Sequence, residues 1–235
     1  MKGRLFRFFS ENKWKYRLQR SRVRVVSGGS ISAGRSCRIL CSNVFIENGS
    51  SLVIGDNVVI DHCEIYIKGS VTIGDNTILK GGSYILEPGE LALGHHCKST
   101  AKRLWVRFGG KLTIGDYTNI NCDSEIRCDQ EVTIGRYNQI SYNVRIWDTN
   151  THNVYPAQER RKMAETYWPY YGKETRRPAT KPVSVGDDCW IGENAAILKG
   201  SNLGNEVVVG YGTLISGQTV EAGKMVVSRQ ELRII

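Results

Sequence analysis

Residues 183–220 read VSVGDDCWIGENAAILKGSNLGNEVVVGYGTLISGQTV, and this stretch contains a repeat with a period of six residues. The aliphatic residues at every sixth position are Val185, Ile191, Ile197, Leu203, Val209 and Ile215. The small or β-branched residues four positions after them are Cys189, Ala195, Ser201, Val207, Thr213 and Thr219. Glycine follows four of the six aliphatic residues. So regular a spacing predicts that this part of the chain is built from repeated short units.

The same pattern extends through the first half of the chain with looser spacing. Aliphatic–glycine pairs begin five units at Ile54-Gly55, Ile73-Gly74, Leu93-Gly94, Ile114-Gly115 and Ile134-Gly135. Within some units the step of six continues, as in Ile73, Leu79 and Ile85, in Ile114, Ile120 and Ile126, and in Ile134, Ile140 and Ile146. The repeat therefore covers most of the protein, not only its C-terminal part.

A period of six fits neither an α-helix nor the simple alternation of a hairpin strand. It fits a coil with flat faces, in which each face is a short strand followed by a turn. Stacked coils form parallel sheets without helical crossovers and bury one continuous core, but they leave two open ends. We therefore predict an all-β fold with a β-helix domain at residues 31–222, an N-terminal cap at residues 1–30 and a C-terminal cap at residues 223–235.

The composition agrees with a folded protein. Hydrophobic residues make up 40% of the 235 residues and charged residues 23%, and no apolar run is long enough for a membrane-spanning helix. The N-terminus has no signal-peptide pattern, so we expect a cytoplasmic protein. The seven cysteines are irregularly spaced without a CxxC pair, which favours free, buried thiols over disulfides or a metal cluster. Cys97 and Cys189 occupy the small position of the repeat, where a thiol packs as a compact apolar group.

Most of the net positive charge lies in the first 24 residues, which contain nine Lys or Arg and only Glu11 as an acid. The remainder of the chain is nearly neutral, which argues against nucleic acid as a partner. Aromatic and leucine side chains alternate with the N-terminal charges. This segment is either a cap with solvated charges or a contact to an anionic membrane surface at the inner face of the membrane.

One segment, residues 150–181, interrupts the repeat. It is rich in aromatic and charged residues, with seven Lys or Arg against three Glu. A long loop on a regular scaffold is more often functional than not, and its positive charge would favour a phosphate-bearing cosubstrate. The alternative is a loop that contacts a second subunit.

The sequence IWDTNTHNV before this loop and PVSVGDDCWIGENAAI after it resemble the hexapeptide-repeat acyltransferases. The similarity is greatest to the sugar and polysaccharide O-acetyltransferase branch, which includes maltose, galactoside and lipopolysaccharide acetyltransferases. The resemblance covers roughly residues 50–220. It implies a left-handed parallel β-helix, acetyl-CoA as cosubstrate, a sugar or lipid-linked glycan as acceptor, and a homotrimer with active sites between rods.

The resemblance also implies roles for individual residues. His152 stands where the family has its catalytic histidine, and Asn121 where an asparagine lies near the acceptor and the acetyl group. The residues that would bind the cosubstrate are Trp190, Gly192, Gly210, Tyr211 and Ser216. Trp190 would form a wall at the thioester end, although it is alternatively a packing residue.

A sugar hydroxyl needs a base to take its proton as it attacks, and a neutral imidazole suits this purpose. Asp148, four residues before His152, either orients that imidazole or is a turn residue bonding its own backbone. A three-histidine zinc site is disfavoured because His95 and His96 are adjacent and His152 lies several coils away, so we expect no metal. We therefore predict an O-acetyltransferase that acts in surface polysaccharide biosynthesis. The alternatives are an N- or O-acetyltransferase for amino sugars or antibiotics, and a non-catalytic scaffold.

Overall fold

The computed structural model describes residues 16–169 and 174–229 and is a parallel β-solenoid. Each coil places strands on three faces, and each strand pairs in parallel with its equivalents in the coils before and after it. The second and third faces form one sheet because three long strands run around the corner between them. The predicted all-β architecture of stacked coils is confirmed.

The strands of the first face are Tyr16–Gln19, Cys37–Leu40, Val59–Asp61, Ile78–Lys80, Lys98–Ser99, Asn119–Ile120, Gln139–Ile140, Trp190–Ile191, Val208–Val209 and Met225–Val226. The strands of the second face alone are Arg22–Val25, Asn43–Ile46, Glu125–Cys128, Arg145–Trp147, Ala196–Leu198 and Leu214–Ser216. The strands of the third face alone are Ser30–Ala33, Ser51–Ile54, Glu131–Ile134, Val183–Val185, Asn202–Leu203 and Thr219–Val220. The long strands that cover both the second and the third face are Glu64–Ile73, Ser83–Leu93 and Arg103–Ile114.

We name the three edges of the rod by the faces that they join. The first corner joins the first and second faces, the second corner joins the second and third faces, and the third corner joins the third face to the first face of the next coil. The predicted loop leaves from the second corner between Arg145–Trp147 and Val183–Val185, and it contains the one described helix, Ala157–Tyr167. That helix is too short and too polar to span a bilayer.

The aliphatic residues of the C-terminal repeat point into the rod and are buried, from Val185 to Ile215. Two positions differ from the predicted pattern. Ile85 points outward, because the strand Ser83–Leu93 buries Tyr84 and Leu86 instead. Thr219 is exposed, because the following residue, Val220, packs partly against the core.

The glycine that follows many of the aliphatic residues is required by the spacing of the coils. A Cβ atom on Gly74 would lie 2.6 Å from the backbone carbon of Gly94 in the next coil. The left-handed backbone conformation falls two residues later, as at Asn76 with φ of 58°. The glycine is therefore needed for the close approach of the coils, whereas the left-handed turn conformation belongs to the residue two positions later.

All seven cysteines are free, and five of them, including Cys97 and Cys189, are buried. The predicted thiols without disulfides are confirmed. The solenoid extends beyond both predicted boundaries, because strands begin at Tyr16 and continue to Val226. A capping role for residues 1–15 lies outside the described residues.

Candidate active site

The excursion loop is closed at its stem by backbone hydrogen bonds between its two ends. Thr149 and Thr180 form an antiparallel bridge. The amide of Asn150 donates to the carbonyl of Ala179 at 3.0 Å, and the amide of Lys181 donates to the carbonyl of Asp148 at 2.9 Å. These bonds fix the point from which the loop leaves the rod.

Asp148 attaches this stem to the coil below. Its carboxylate is fully buried and accepts backbone N–H groups from Asp129 at 2.8 Å and from Gln130 and Glu131 at 2.7 Å each. Burial raises the pKa of Asp148, although the three hydrogen bonds act in the opposite direction. All three bonds hold the second corner in place.

A buried ion pair lies directly under the stem. Arg107 donates to both carboxylate oxygens of Asp129, at 2.8 and 2.7 Å, and both residues are buried. The hydroxyl of Thr149 donates to the same carboxylate at 2.7 Å, and Arg107 also donates to the carbonyl of Thr151 at 3.2 Å. The residue before His152 is therefore bonded to the solenoid. Nothing in the sequence repeat indicated this contact.

His152 lies at the mouth of the loop with half of its side chain exposed, 52%. Its amide donates to the carbonyl of Asn150 at 2.8 Å, and its Nδ1 lies 3.4 Å from Oε1 of Glu174. The side chain of Glu174 is almost completely buried and accepts hydrogen bonds from the backbone and side chain of Asn153 and from the hydroxyl of Tyr155. Although burial opposes the charge, these donors lower the pKa of Glu174 below its ordinary value.

The structure corrects the role predicted for Asp148. Its carboxylate oxygens are occupied by backbone amides, and the carboxylate beside the imidazole of His152 belongs to Glu174. The loop contains three glutamates, Glu159, Glu165 and Glu174, at different distances along the chain from His152. Sequence spacing offers no reason to choose among them, because the loop has no repeat.

Asn121 lies on a different edge of the rod from His152. It follows the first-face strand Asn119–Ile120, so it is at the first corner, and its side-chain amide donates to the carbonyl of Ile140 at 3.2 Å. Backbone hydrogen bonds stack it on Ser141, which in turn stacks on Gly192. Within one rod, the second face separates Asn121 from the loop that carries His152.

The predicted cosubstrate-binding residues occupy the C-terminal coils, but not one edge. Trp190 projects from the first face and is 59% exposed, and Tyr211 projects from the first corner and is 72% exposed. Gly192 and Gly210 lie at the first corner, and a Cβ on Gly192 would approach the carbonyl oxygen of Val209 to 2.6 Å. Ser216 ends a second-face strand and lies in the column of Trp147, away from the other four.

The described residues contain one group of side chains whose spacing would suit a metal ion. Ligand atoms of Cys41, Asp61 and His62 lie within 4.8 Å of one another at the first corner. Nδ1 of His62 is already 2.6 Å from Oδ1 of Asp61. This group lies several coils before the excursion loop.

Comparisons with known proteins agree with the repeat and the fold. The family profile for the hexapeptide repeat of succinyl-transferase matches residues 182–216. The Escherichia coli strain K12 protein WbbJ is 29% identical over 145 residues, which are 61% of this chain and 71% of that protein. Its name assigns it provisionally to lipopolysaccharide biosynthesis as an O-acetyl transferase. The chain therefore carries a stretch of the hexapeptide repeat and is similar to WbbJ over more than half of its length.

A solved structure shows the same fold. The polysialic acid O-acetyltransferase OatWY superposes with a TM-score of 0.51 at 20% identity, over 91% of this chain and 84% of that chain. The similarity to OatWY shows that the stacked-coil fold is shared. The profile match includes Trp190 and Gly192, and it begins one residue after the excursion loop ends.

Proposed function

We propose that this protein is an O-acetyltransferase that moves the acetyl group of acetyl-CoA to a sugar hydroxyl during surface polysaccharide biosynthesis. The observation that carries the proposal is the half-exposed imidazole of His152, held beside the buried carboxylate of Glu174 on a loop stem bonded to the rod. The relationship to WbbJ supports the class of acceptor. A lipid-linked form of that acceptor agrees with the basic N-terminal segment.

His152 is the proposed general base. Its Nδ1 is directed to Glu174, which leaves Nε2 to accept the proton of the acceptor hydroxyl. The hydroxyl oxygen attacks the thioester carbonyl, the new C–O bond forms as the C–S bond breaks, and the proton passes from the imidazole to the departing thiolate. Glu174 is a positioning residue that stabilises the imidazolium formed on the way. The side-chain amide of Asn121 would hold the acceptor or donate to the oxyanion.

The exposed side chains of the C-terminal coils fit an acyl thioester with an apolar arm. Trp190, Tyr211, Leu214 and Met225 are all more than half exposed, on the first face, the first corner and the neighbouring second-face strand. Exposed apolar side chains on neighbouring coils suit a ligand of this kind. The thioester supplies the activated acyl group, and these residues would bind and orient it.

The separation of His152 from Asn121 and Trp190 within one rod motivates a homotrimer. In the proposed assembly, the loop of one rod reaches the first face and first corner of its neighbour, so that each active site lies between two subunits. The mass of the purified protein by light scattering tests this directly, and a monomer would contradict a shared site.

The activity is tested by release of free CoA from acetyl-CoA with a panel of sugars and polysaccharides. His152→Ala is expected to lower turnover by roughly 10²–10⁴-fold. His96→Ala removes another described histidine from the third corner and should leave turnover unchanged. Normal turnover of His152→Ala would remove His152 from the mechanism. Treatment of the product with hydroxylamine distinguishes O-acetylation from N-acetylation, because hydroxylamine cleaves an ester and not an amide.

A complementation experiment tests the shared site. His152→Ala and Trp190→Ala subunits are co-expressed and assayed at an acetyl-CoA concentration at which neither variant alone is active. Mixed trimers regain activity if His152 and Trp190 of one site come from different chains. Verified mixed trimers without activity would mean that each site uses a single chain.

Attachment to a membrane surface and a cytoplasmic location remain part of the proposal. Deletion of residues 1–15, which leaves the described coils complete, should abolish sedimentation with anionic liposomes. Unchanged sedimentation would refute the role of this segment.

A further inference from the structure

The outward side chains of the second face form a continuous column that passes the excursion loop. Up to the loop, the column consists of Arg24, Phe45, Tyr66, Ile85, Trp105, Arg127 and Trp147. The rings of Phe45 and Tyr66 stack with centroids 5.6 Å apart, and the guanidinium of Arg24 lies 5.2 Å from the centroid of Phe45. Trp147 is the last residue of the strand that leads into the loop of His152.

The early part of this face contains a groove of about 430 Å³. Side chains from the first four coils of the described rod line it, among them Arg22, Arg24, Asn43, Glu64 and Ile85. The groove therefore combines basic, amide, carboxylate and apolar groups. Its apolar walls include Phe45, Tyr66 and Ile85.

This groove contains two arginines that have no ion pair among the described residues. Further along the column, Glu125 accepts hydrogen bonds from Arg103 and Arg127, each at 2.7 Å. In contrast, Arg22 and Arg24 are exposed and have no ion pair with any residue that the structure describes. Among the described residues on the wall of the groove, the only carboxylate is Glu64, which accepts a hydrogen bond from Asn43 at 2.7 Å.

These groups suit an acidic carbohydrate. A guanidinium binds a carboxylate or phosphate through two parallel hydrogen bonds, and stacking on Phe45 holds Arg24 in place for such a contact. The amide of Asn43 and the carboxylate of Glu64 are suited to sugar hydroxyls, and the apolar wall to the C–H groups of a pyranose ring.

The groove lies on the second face, at whose edge the loop leaves the rod. The distance from the groove to the start of the loop is one that a polymer spans and a monosaccharide does not. Four coil steps separate Tyr66 from Trp147, which is about 19 Å at a strand spacing of about 4.8 Å. We propose that the groove is a remote binding site for an acidic polysaccharide acceptor, which holds one segment of the chain while another presents its hydroxyl to His152. The role of the groove in acetyl transfer rests on the proposed function, whereas its binding of an acidic polymer does not. A second contact on one polymer raises its effective concentration at the transfer site.

Binding is tested by affinity electrophoresis of the full chain in gels that contain polysialic acid, hyaluronan, alginate or neutral dextran. The acidic polymers, but not dextran, are expected to retard the protein, and Arg22→Ala with Arg24→Ala should weaken this binding at least tenfold. The matched control, Arg38→Ala with Lys98→Ala, removes the same charge from exposed positions on the first face and should bind normally. No retardation by any acidic polymer, or equal loss in the control, would overturn the proposal.

Light scattering and acetyl-transfer kinetics test the groove in the assembled enzyme. Light scattering of the groove variant should give the mass of the unaltered protein, and dissociation would mean that the face is an interface between copies. Acetyl transfer to a short oligosaccharide should keep its kcat and KM, whereas the KM for the polymer rises. If no sugar is acetylated but the groove still binds acidic polymer, the proposed function fails and the binding site stands.

Discussion

Substitution of Asp148 by asparagine distinguishes a structural role from a catalytic one. An asparagine whose oxygen replaces Oδ2 keeps the bonds from Gln130 and Glu131, but as neutral bonds, and turns its NH₂ group towards the amide of Asp129. Bonds to a charged group contribute about 1.5–3 kcal/mol each, roughly twice the neutral value. Two weakened bonds and one lost bond would together cost more than about 3 kcal/mol if each contributed the upper value of the range. Because the neutral asparagine is less costly to bury than the charged aspartate, we expect a net destabilisation of about 3 kcal/mol.

The assay is thermal unfolding followed by circular dichroism. For a chain of this size, about 3 kcal/mol lowers Tm by about 6–12 °C. Asp123→Asn is the control, because this exposed residue occupies the first corner of the preceding coil, which carries the amide partners of Asp148, and its Tm should not change. If Asp148→Asn leaves Tm unaltered but lowers kcat, Asp148 acts on the chemistry, and the reasoning from its three amide partners is refuted.

Three more predictions concern the loop and the thiols. Glu174→Gln should lower kcat by roughly 10–100-fold, less than loss of the base itself, with little change in Tm; an unchanged kcat would exclude positioning of His152. Because the folded-state pKa of Glu174 is lowered from 4.5, its contribution to loop stability is complete above pH 4.5 and is lost as the pH falls through the folded value. Hydrogen exchange at the amide of Asn153, which donates to Glu174, should therefore accelerate in acid relative to core amides. In the native protein Ellman's reagent should modify Cys122 rapidly, whereas Cys63, whose pKa burial raises to about 12, should react only after denaturation; rapid reaction of more than two thiols would contradict the buried assignments.

The fold was predictable because the six-residue repeat is a local signal with a simple physical cause. Each coil buries one aliphatic residue per face, so Val185, Ile191 and Ile197 mark three successive faces whatever the rest of the chain does. The prediction failed where a coil departs from that length. At Ile85 the pattern places an aliphatic residue inside, but the glycines Gly81 and Gly82 precede a strand that buries its neighbours instead.

The candidate site was predictable only in part. His152 and Trp190 could be picked out because they flank the loop in a motif that resembles a known family. Their partners could not, since contacts such as Glu174 with His152 or Arg107 with Thr151 join positions 22 and 44 residues apart in no repeating pattern. Asp148 illustrates the limit, because its proximity in sequence to His152 suggested a pair that the structure replaces with three backbone amides.

The sequence by itself determined the coil, its inward residues and the place where the loop interrupts it, because these depend on spacing along the chain. Only the tertiary structure decided which carboxylate meets the imidazole, which edge carries each site residue and which arginines remain unpaired. The first depends on how the excursion loop folds back on itself. The other two depend on stacking of coils, which brings residues about 20 positions apart within about 4.8 Å of each other. The column from Arg24 to Trp147 exists only through that stacking, and so does the groove proposed for the polymer.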